Sequence, residues 1–183
     1  AFFSLLFIAV GAAVATGLVE TLSQGLAGFI DWGAANLGLS GNGTLLFAAL
    51  LILWASGVLS ALIDNIPYVA VTIPIVAGLT ARLPGDTEIL WWALALGACL
   101  GGNGTVIGAS ANVTVIGLAE RAGAHITFRE FARLGTRVAG ITLLISSAYI
   151  AAQIYFGRTT TQGIMIAILT LYLSGRSLLH RSR

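Results

Sequence analysis

The chain has 183 residues, of which 57% are hydrophobic and only 9% charged, with a formal net charge of +2; its mean hydropathy is +0.96. An ordinary soluble domain is about 45–50% apolar and about 25% charged, so this chain cannot cover a water-facing surface with polar side chains. Its few scattered charges leave no electrostatic footprint for a nucleic acid. The composition predicts an all-α, polytopic integral membrane protein whose solvent is lipid and whose backbone polar groups are satisfied internally.

A membrane helix needs about 20 mostly apolar residues. The first such run covers residues 2–19 and ends at Glu20. No basic segment precedes it, so it predicts a transmembrane helix rather than a signal peptide, in a chain that has lost its front. Residues 21–39 are more polar, with Gln24, Asp31, Trp32 and Asn36. Their apolar positions Leu22, Leu26, Phe29 and Ile30 follow helical spacing, which suits an interfacial helix with Trp32 at headgroup level. Residues 40–43 carry a loop signal.

The second run, residues 44–63, and the third, residues 68–79, are joined by Asp64-Asn65-Ile66-Pro67. Two readings fit: two full spans, or a re-entrant hairpin over residues 44–80 with its tip at residues 64–67. Hydropathy does not choose between them. A polar turn at residues 82–88 leads to a fourth run, residues 89–118, too long for one straight span. It is interrupted at residues 101–105 and again at residues 108–112. Residues 120–137 hold Arg121, Arg129, Arg133 and Arg137, which by the positive-inside rule places them on the cytoplasmic side. The 82–88 turn then faces out. Arg129, Arg133 and Arg137 repeat every four residues and Glu130 is placed to face Arg133, the pattern of an amphipathic surface helix. A span is expected over residues 138–156. A short apolar segment, residues 163–173, precedes a basic tail with Arg176, His180, Arg181 and Arg183.

Two constellations carry chemistry. Asp64 lies in an apolar stretch, where an acid costs about 2.5–3.5 kcal/mol on insertion scales and is by default a functional residue facing protein or water. Pro67 suits the first turn of a helix, and Asp64 or Asn65 can cap that helix. The plainer reading, a capped turn at the interface, has about equal weight. The second constellation is the broken fourth run. Gly97/Gly101 and Gly104/Gly108 have the spacing of close helix packing. Asn103, Thr105, Ser110 and Asn112 add amide and hydroxyl groups at membrane depth, where irregular backbone persists only if buried or lining a cavity. Discontinuous helices of this kind hold ions in many secondary transporters. Gly101, Gly102, Gly104 and Gly108, with Pro67, are the expected hinge positions.

Other signals are weak. Asn103-Gly104-Thr105 and Asn112-Val113-Thr114 match a glycosylation sequon at membrane depth and are chance matches. Gly108-Ala109-Ser110 lacks the neighbouring His that an intramembrane serine nucleophile needs. His125 and His180 have no partners at metal-ligand spacing. Cys99, the one cysteine, reads as a small hydrophobe.

Residues 60–70 (SALIDNIPYVA) and residues 96–112 (LGACLGGNGTVIGASAN), continuing to Ala119-Glu120-Arg121, resemble the hairpin and broken helix of the ion transporter superfamily. The resemblance is nearest to the branch of arsenite permeases, the melanosomal P protein and D-type sodium/proton antiporters, with citrate and divalent-anion symporters further off. It covers residues 1–155. It implies one inverted repeat, the C-terminal one, with spans over residues 2–19 and 138–156, a re-entrant hairpin over 44–80 and a broken helix over 89–118. The tip Asp64-Asn65-Ile66 would stand where symporters have a sodium-binding Ser-Asn-Thr, and Ser110-Ala111-Asn112 would match the unwound loop. The implied function is secondary active transport of a small ion by an elevator motion, coupled to sodium or protons, with no enzyme chemistry and no further cofactor. The cargo would be arsenite or a carboxylate, or sodium and protons in exchange. Sodium would touch Asp64, Asn65 and Asn112; Asn103, Thr105 and Ser110 would complete the shell. Asp64 would carry the coupling. The implied partners are the bilayer, the missing N-terminal repeat and a second copy in a homodimer, in the inner membrane of a prokaryote. Residues 157–183 do not match the family's usual ending. The competing expectation is a non-transporting membrane scaffold, or a half that needs a partner half.

Overall fold

The computed structural model describes residue 8 and residues 11–181. Residues 2–7, 9 and 10 of the expected 2–19 span therefore lie outside the described residues. Its end differs from the expectation. Residues 11–15 are helical, and a turn at residues 16–17 separates them from α1 (Leu18–Asn36). Gly17 has φ 75°, a left-handed conformation that suits glycine, and Thr16 bonds back to Ala12 O. The apolar run therefore breaks before Glu20, and Glu20 joins the first turn of α1, where a carboxylate favours the positive end of the helix.

The other helices are α2 (Asn42–Ser60), α3 (Asn65–Thr80), α4 (Glu88–Gly101), α5 (Ser110–Arg121), α6 (Phe128–Phe156) and α7 (Arg158–Arg181), with a 3-10 turn at Gly102–Gly104. No strand occurs among the described residues. α2 and α6 are long and apolar enough to cross a membrane; α3 is apolar but shorter. The 19 residues of α2, at about 1.5 Å each, run about 28 Å, close to the hydrocarbon thickness.

The core lies where α2, α4 and α6 meet. Ala48, Ala49 and Leu53 of α2, Leu90 and Ala93 of α4, and Ile150 of α6 are fully buried. Lipid gives helices no hydrophobic reason to associate, so close approach of backbones matters more. A Cβ at Gly97 would lie 2.4 Å from Leu53 O, and one at Gly101 would lie 2.2 Å from Gly57 O. α2 and α3 barely touch each other. α3 packs instead on α1 and α4, with Ser23 of α1 donating to Ile75 O at 3.4 Å and Arg82 pairing with Glu20 at 2.9 Å.

The helix expected over Arg129, Arg133 and Arg137 is present, but it and the expected 138–156 span are one continuous helix: α6 begins at Phe128 and carries the three arginines, all exposed, on its first turns. Glu130 forms no salt bridge with Arg133 among the described residues. Its carboxylate accepts from Thr127 N (3.0 Å) and Oγ1 (2.7 Å), while Thr127 Oγ1 accepts from Glu130 N, closing a capping box that satisfies otherwise orphaned donors. The tail is one helix from Arg158, set off by Gly157 at φ 82°. It is tied down by Arg158–Glu88 (2.8 Å), and Thr161, which is buried, donates to Gly157 O. The exposed Leu134, Ile141, Leu144 and Ile145 of α6 form an apolar outer face of the kind lipid covers.

Candidate functional site

The segment between α2 and α3 meets the interruption between α4 and α5. Asp64 is the N-cap of α3, with Oδ1 accepting from Ile66 N at 3.1 Å. Pro67 falls in the first turn of that helix, where its missing N–H leaves no bond unmade. The other carboxylate oxygen, Oδ2, accepts from Ser110 N at 3.0 Å. Ser110 is the first residue of α5. One carboxylate thus bridges the N-termini of two helices that are 46 residues apart in sequence.

Hydroxyl and amide groups hold the two breaks together. Thr105 Oγ1 donates to Ala61 O, just before the tip, and accepts from Gly108 N at 3.2 Å. Asn112 Nδ2 donates to Gly102 O and to Thr105 O, both at 2.9 Å. Both acceptors are carbonyls, so the amide orientation is set by its partners. Asn112 therefore acts as a staple across the unwound stretch, and its Oδ1 has no partner among the described residues. Ser60, fully buried, donates to Ala98 O at 2.6 Å.

The glycines expected as hinges serve close approach. None of Gly101, Gly102, Gly104 and Gly108 has a positive φ. A Cβ at Gly108 would lie 2.6 Å from Gly102 O and 2.9 Å from Ser60 O, and one at Gly104 would lie 3.1 Å from Ala61 Cβ. The backbone leaves the helix at Thr105 (φ −138°) and re-enters it after Ala109 (φ −150°), in extended conformations open to any residue.

Asp64, Thr105, Ser110 and Asn112 thus converge. Asn103 is exposed and folds back on Cys99 O at 3.4 Å. The Asn65 side chain makes no hydrogen bond among the described residues, and Asn65 lines an apolar groove with Val14, Ile66, Ile73 and Pro74. One participant escapes the sequence reading: a Cβ at Gly135 would lie 2.3 Å from Asn103 O, so the Arg-bearing start of α6 packs on the break. Its signal is Gly135/Ala139, small residues four apart, hidden among arginines. α5 itself buries none of its residues.

The family described as citrate transporter matches residues 1–97. An uncharacterized transporter of Mycobacterium tuberculosis is 47% identical over 151 residues, 81% of this chain and 33% of that protein. A 46 kDa membrane protein of Mycobacterium leprae is 45% identical over 151 residues, again 81% of this chain and 33% of the relative. The human P protein is 38% identical over 153 residues, 81% of this chain and 17% of its own length. The chain thus spans about a third of the mycobacterial relatives. No solved structure matches.

Proposed function

The chain belongs to the citrate transporter family, and from that membership we propose that it forms one repeat of a secondary active transporter for a small ion. The carrying observation is Asp64, whose carboxylate joins Ile66 N and Ser110 N at the meeting of two interrupted helical segments. An ionisable group at such a junction is placed to couple cargo to sodium or protons. Asn65, Asn103, Thr105, Ser110 and Asn112 stand around the same two breaks and offer oxygen atoms to an ion. The cargo is arsenite, a carboxylate, or sodium exchanged for protons, moved by displacement of this unit against a scaffold. A second, inverted repeat completes the site. The exposed state of α5, which buries no residue within this chain, supports that completion. The protein then works as a homodimer in a prokaryotic inner membrane, with residues 120–127 and the arginines of early α6 on the cytoplasmic side.

The test is coupled flux in proteoliposomes of the protein as its gene encodes it. Asp64→Asn is expected to abolish gradient-driven transport while leaving membrane insertion and detergent elution volume unchanged. Wild-type rates with an unchanged pH profile in Asp64→Asn would remove the coupling role. Absence of any saturable flux in the wild type would remove the transport reading.

A further inference from the structure

α7 meets the bundle at its first turn. Arg158 pairs with Glu88 at 2.8 Å and Thr161 is buried, whereas residues 159, 160, 162–168 and 170 are all exposed within this chain. A helix so placed needs surroundings that suit its composition. Between Arg158 and Arg176 stand 17 residues without a charge, TTTQGIMIAILTLYLSG. All of them belong to one continuous helix. At about 1.5 Å per residue the two arginines stand about 27 Å apart along its axis, close to the thickness of a bilayer's hydrocarbon core.

A helix at a membrane either lies in the interface or crosses. An interfacial helix has one polar and one apolar face; a helix that is apolar all round is a core element or a span. At about 3.6 residues per turn, the consecutive Ile164, Met165 and Ile166 point to three different sides, and they are 52%, 54% and 66% exposed. Ile168 is exposed as well, and the sequence continues with Leu169, Leu171 and Leu173. No orientation in an interface keeps all of these out of water. Thr170 turns its hydroxyl back onto Ile166 O at 2.8 Å, which gives that donor an acceptor inside the helix.

The charges at the two ends agree with a crossing. α6 runs from the arginine-bearing face to Phe156, and α7 starts two residues on, at Arg158. A crossing by α7 brings Arg176, His180, Arg181 and Arg183 back to the face of Arg121, Arg129 and Arg133, as basic residues gather on one side of a membrane. Arg158 stays at the opposite face with its charge matched by Glu88. We propose that α7 is a further membrane-spanning helix, surrounded by lipid, that returns the chain to the face carrying residues 120–127. The inference goes beyond the transport reading and holds whichever ion is carried, because it concerns only the sides of α7 relative to those residues.

Impermeant maleimide labelling of the gene-encoded protein in sealed membrane vesicles of both orientations tests it, in a background without native cysteines. Ser177→Cys is expected to react from the same face as Ala124→Cys, and Thr159→Cys only from the other. Where Ser177→Cys is not recovered in the membrane, His180→Cys gives the same reading. A nitroxide on Ile166→Cys is expected to be reached by oxygen, which dissolves in lipid, and to lose contact with a water-soluble nickel chelate. Labelling of the tail from the face of Thr159→Cys would put both ends of α7 in one interface and overturn the crossing. A nitroxide reached by the nickel chelate would place Ile166 in water. One reached by neither reagent would place it against a protein partner, a second copy included. Either result overturns the lipid contact.

Discussion

Gly101→Ala puts a methyl group into the backbone of a neighbouring helix. The new Cβ would lie 2.2 Å from Gly57 O and 2.4 Å from Gly57 Cα, against an ordinary carbon contact of about 3.5 Å. Both atoms are main chain, so no rotamer change relieves the overlap, and α4 has to part from α2 by about 1 Å in a close-packed interior. Overpacking of this kind costs about 1–3 kcal/mol. The same displacement stretches the bond from Ser60 Oγ to Ala98 O, now 2.6 Å, which contributes about 1 kcal/mol more. A loss of about 3 kcal/mol corresponds to a fall of about 6–12 °C in melting midpoint for a chain of this size. Gly140→Ala on α6 is the control. Nothing lies within 4 Å of its Cβ, and alanine gains up to about 1 kcal/mol of helix propensity over glycine. The assay is thermal unfolding in detergent, followed by the fluorescence of the four tryptophans. A Gly101→Ala midpoint equal to that of Gly140→Ala would refute the backbone-contact account of α2 against α4.

Asn112→Asp keeps size and shape but points a carboxylate at Gly102 O and Thr105 O, where two N–H donors now sit at 2.9 Å. The loss of both bonds costs about 2–4 kcal/mol. Amide hydrogen exchange over residues 102–112 is expected to accelerate while the middle of α2 is unchanged; unaltered exchange would show that the staple is dispensable. The hydrogen bond from Arg158, together with its positive charge, holds the Glu88 carboxyl below its ordinary 4.5. A carboxylate depressed in the folded state contributes fully above its unfolded value and loses that contribution as pH falls through the lowered one. The tether of α7 is therefore expected to be intact near neutral pH and to release only in acid. The pair is exposed, so high salt weakens it as well. Glu88→Gln is expected to give the acid behaviour at neutral pH. Spin-label distances between the start of α4 and α7 read the release, and a distance that is constant down to strong acid contradicts it.

The membrane character, the two interruptions and a helix cap at Asp64 or Asn65 were legible in the sequence. Each depends on residues within one or two helical turns. A chain with 9% charged residues has to sit in lipid wherever it folds. Pro67 suits a first turn, and Asp64 sits beside the Ile66 N–H that needs an acceptor. Local composition misled at boundaries: the run through Gly17 looks continuous but breaks there, while the change from arginine-rich to apolar sequence at residue 138 hides that the surface helix and the span are one helix. What only the tertiary structure decided is which breaks face each other. The second oxygen of Asp64 takes a donor from Ser110, 46 residues on, and Thr105 takes Ala61 as its acceptor, 44 residues back. The glycines at residues 97–108 and Gly135 acquire their meaning from backbones they touch in other helices. Hydropathy and capping are properties of a segment. Contact between two segments depends on the packing of all the helices between them, and that was settled only when α2, α4 and α6 closed on one another.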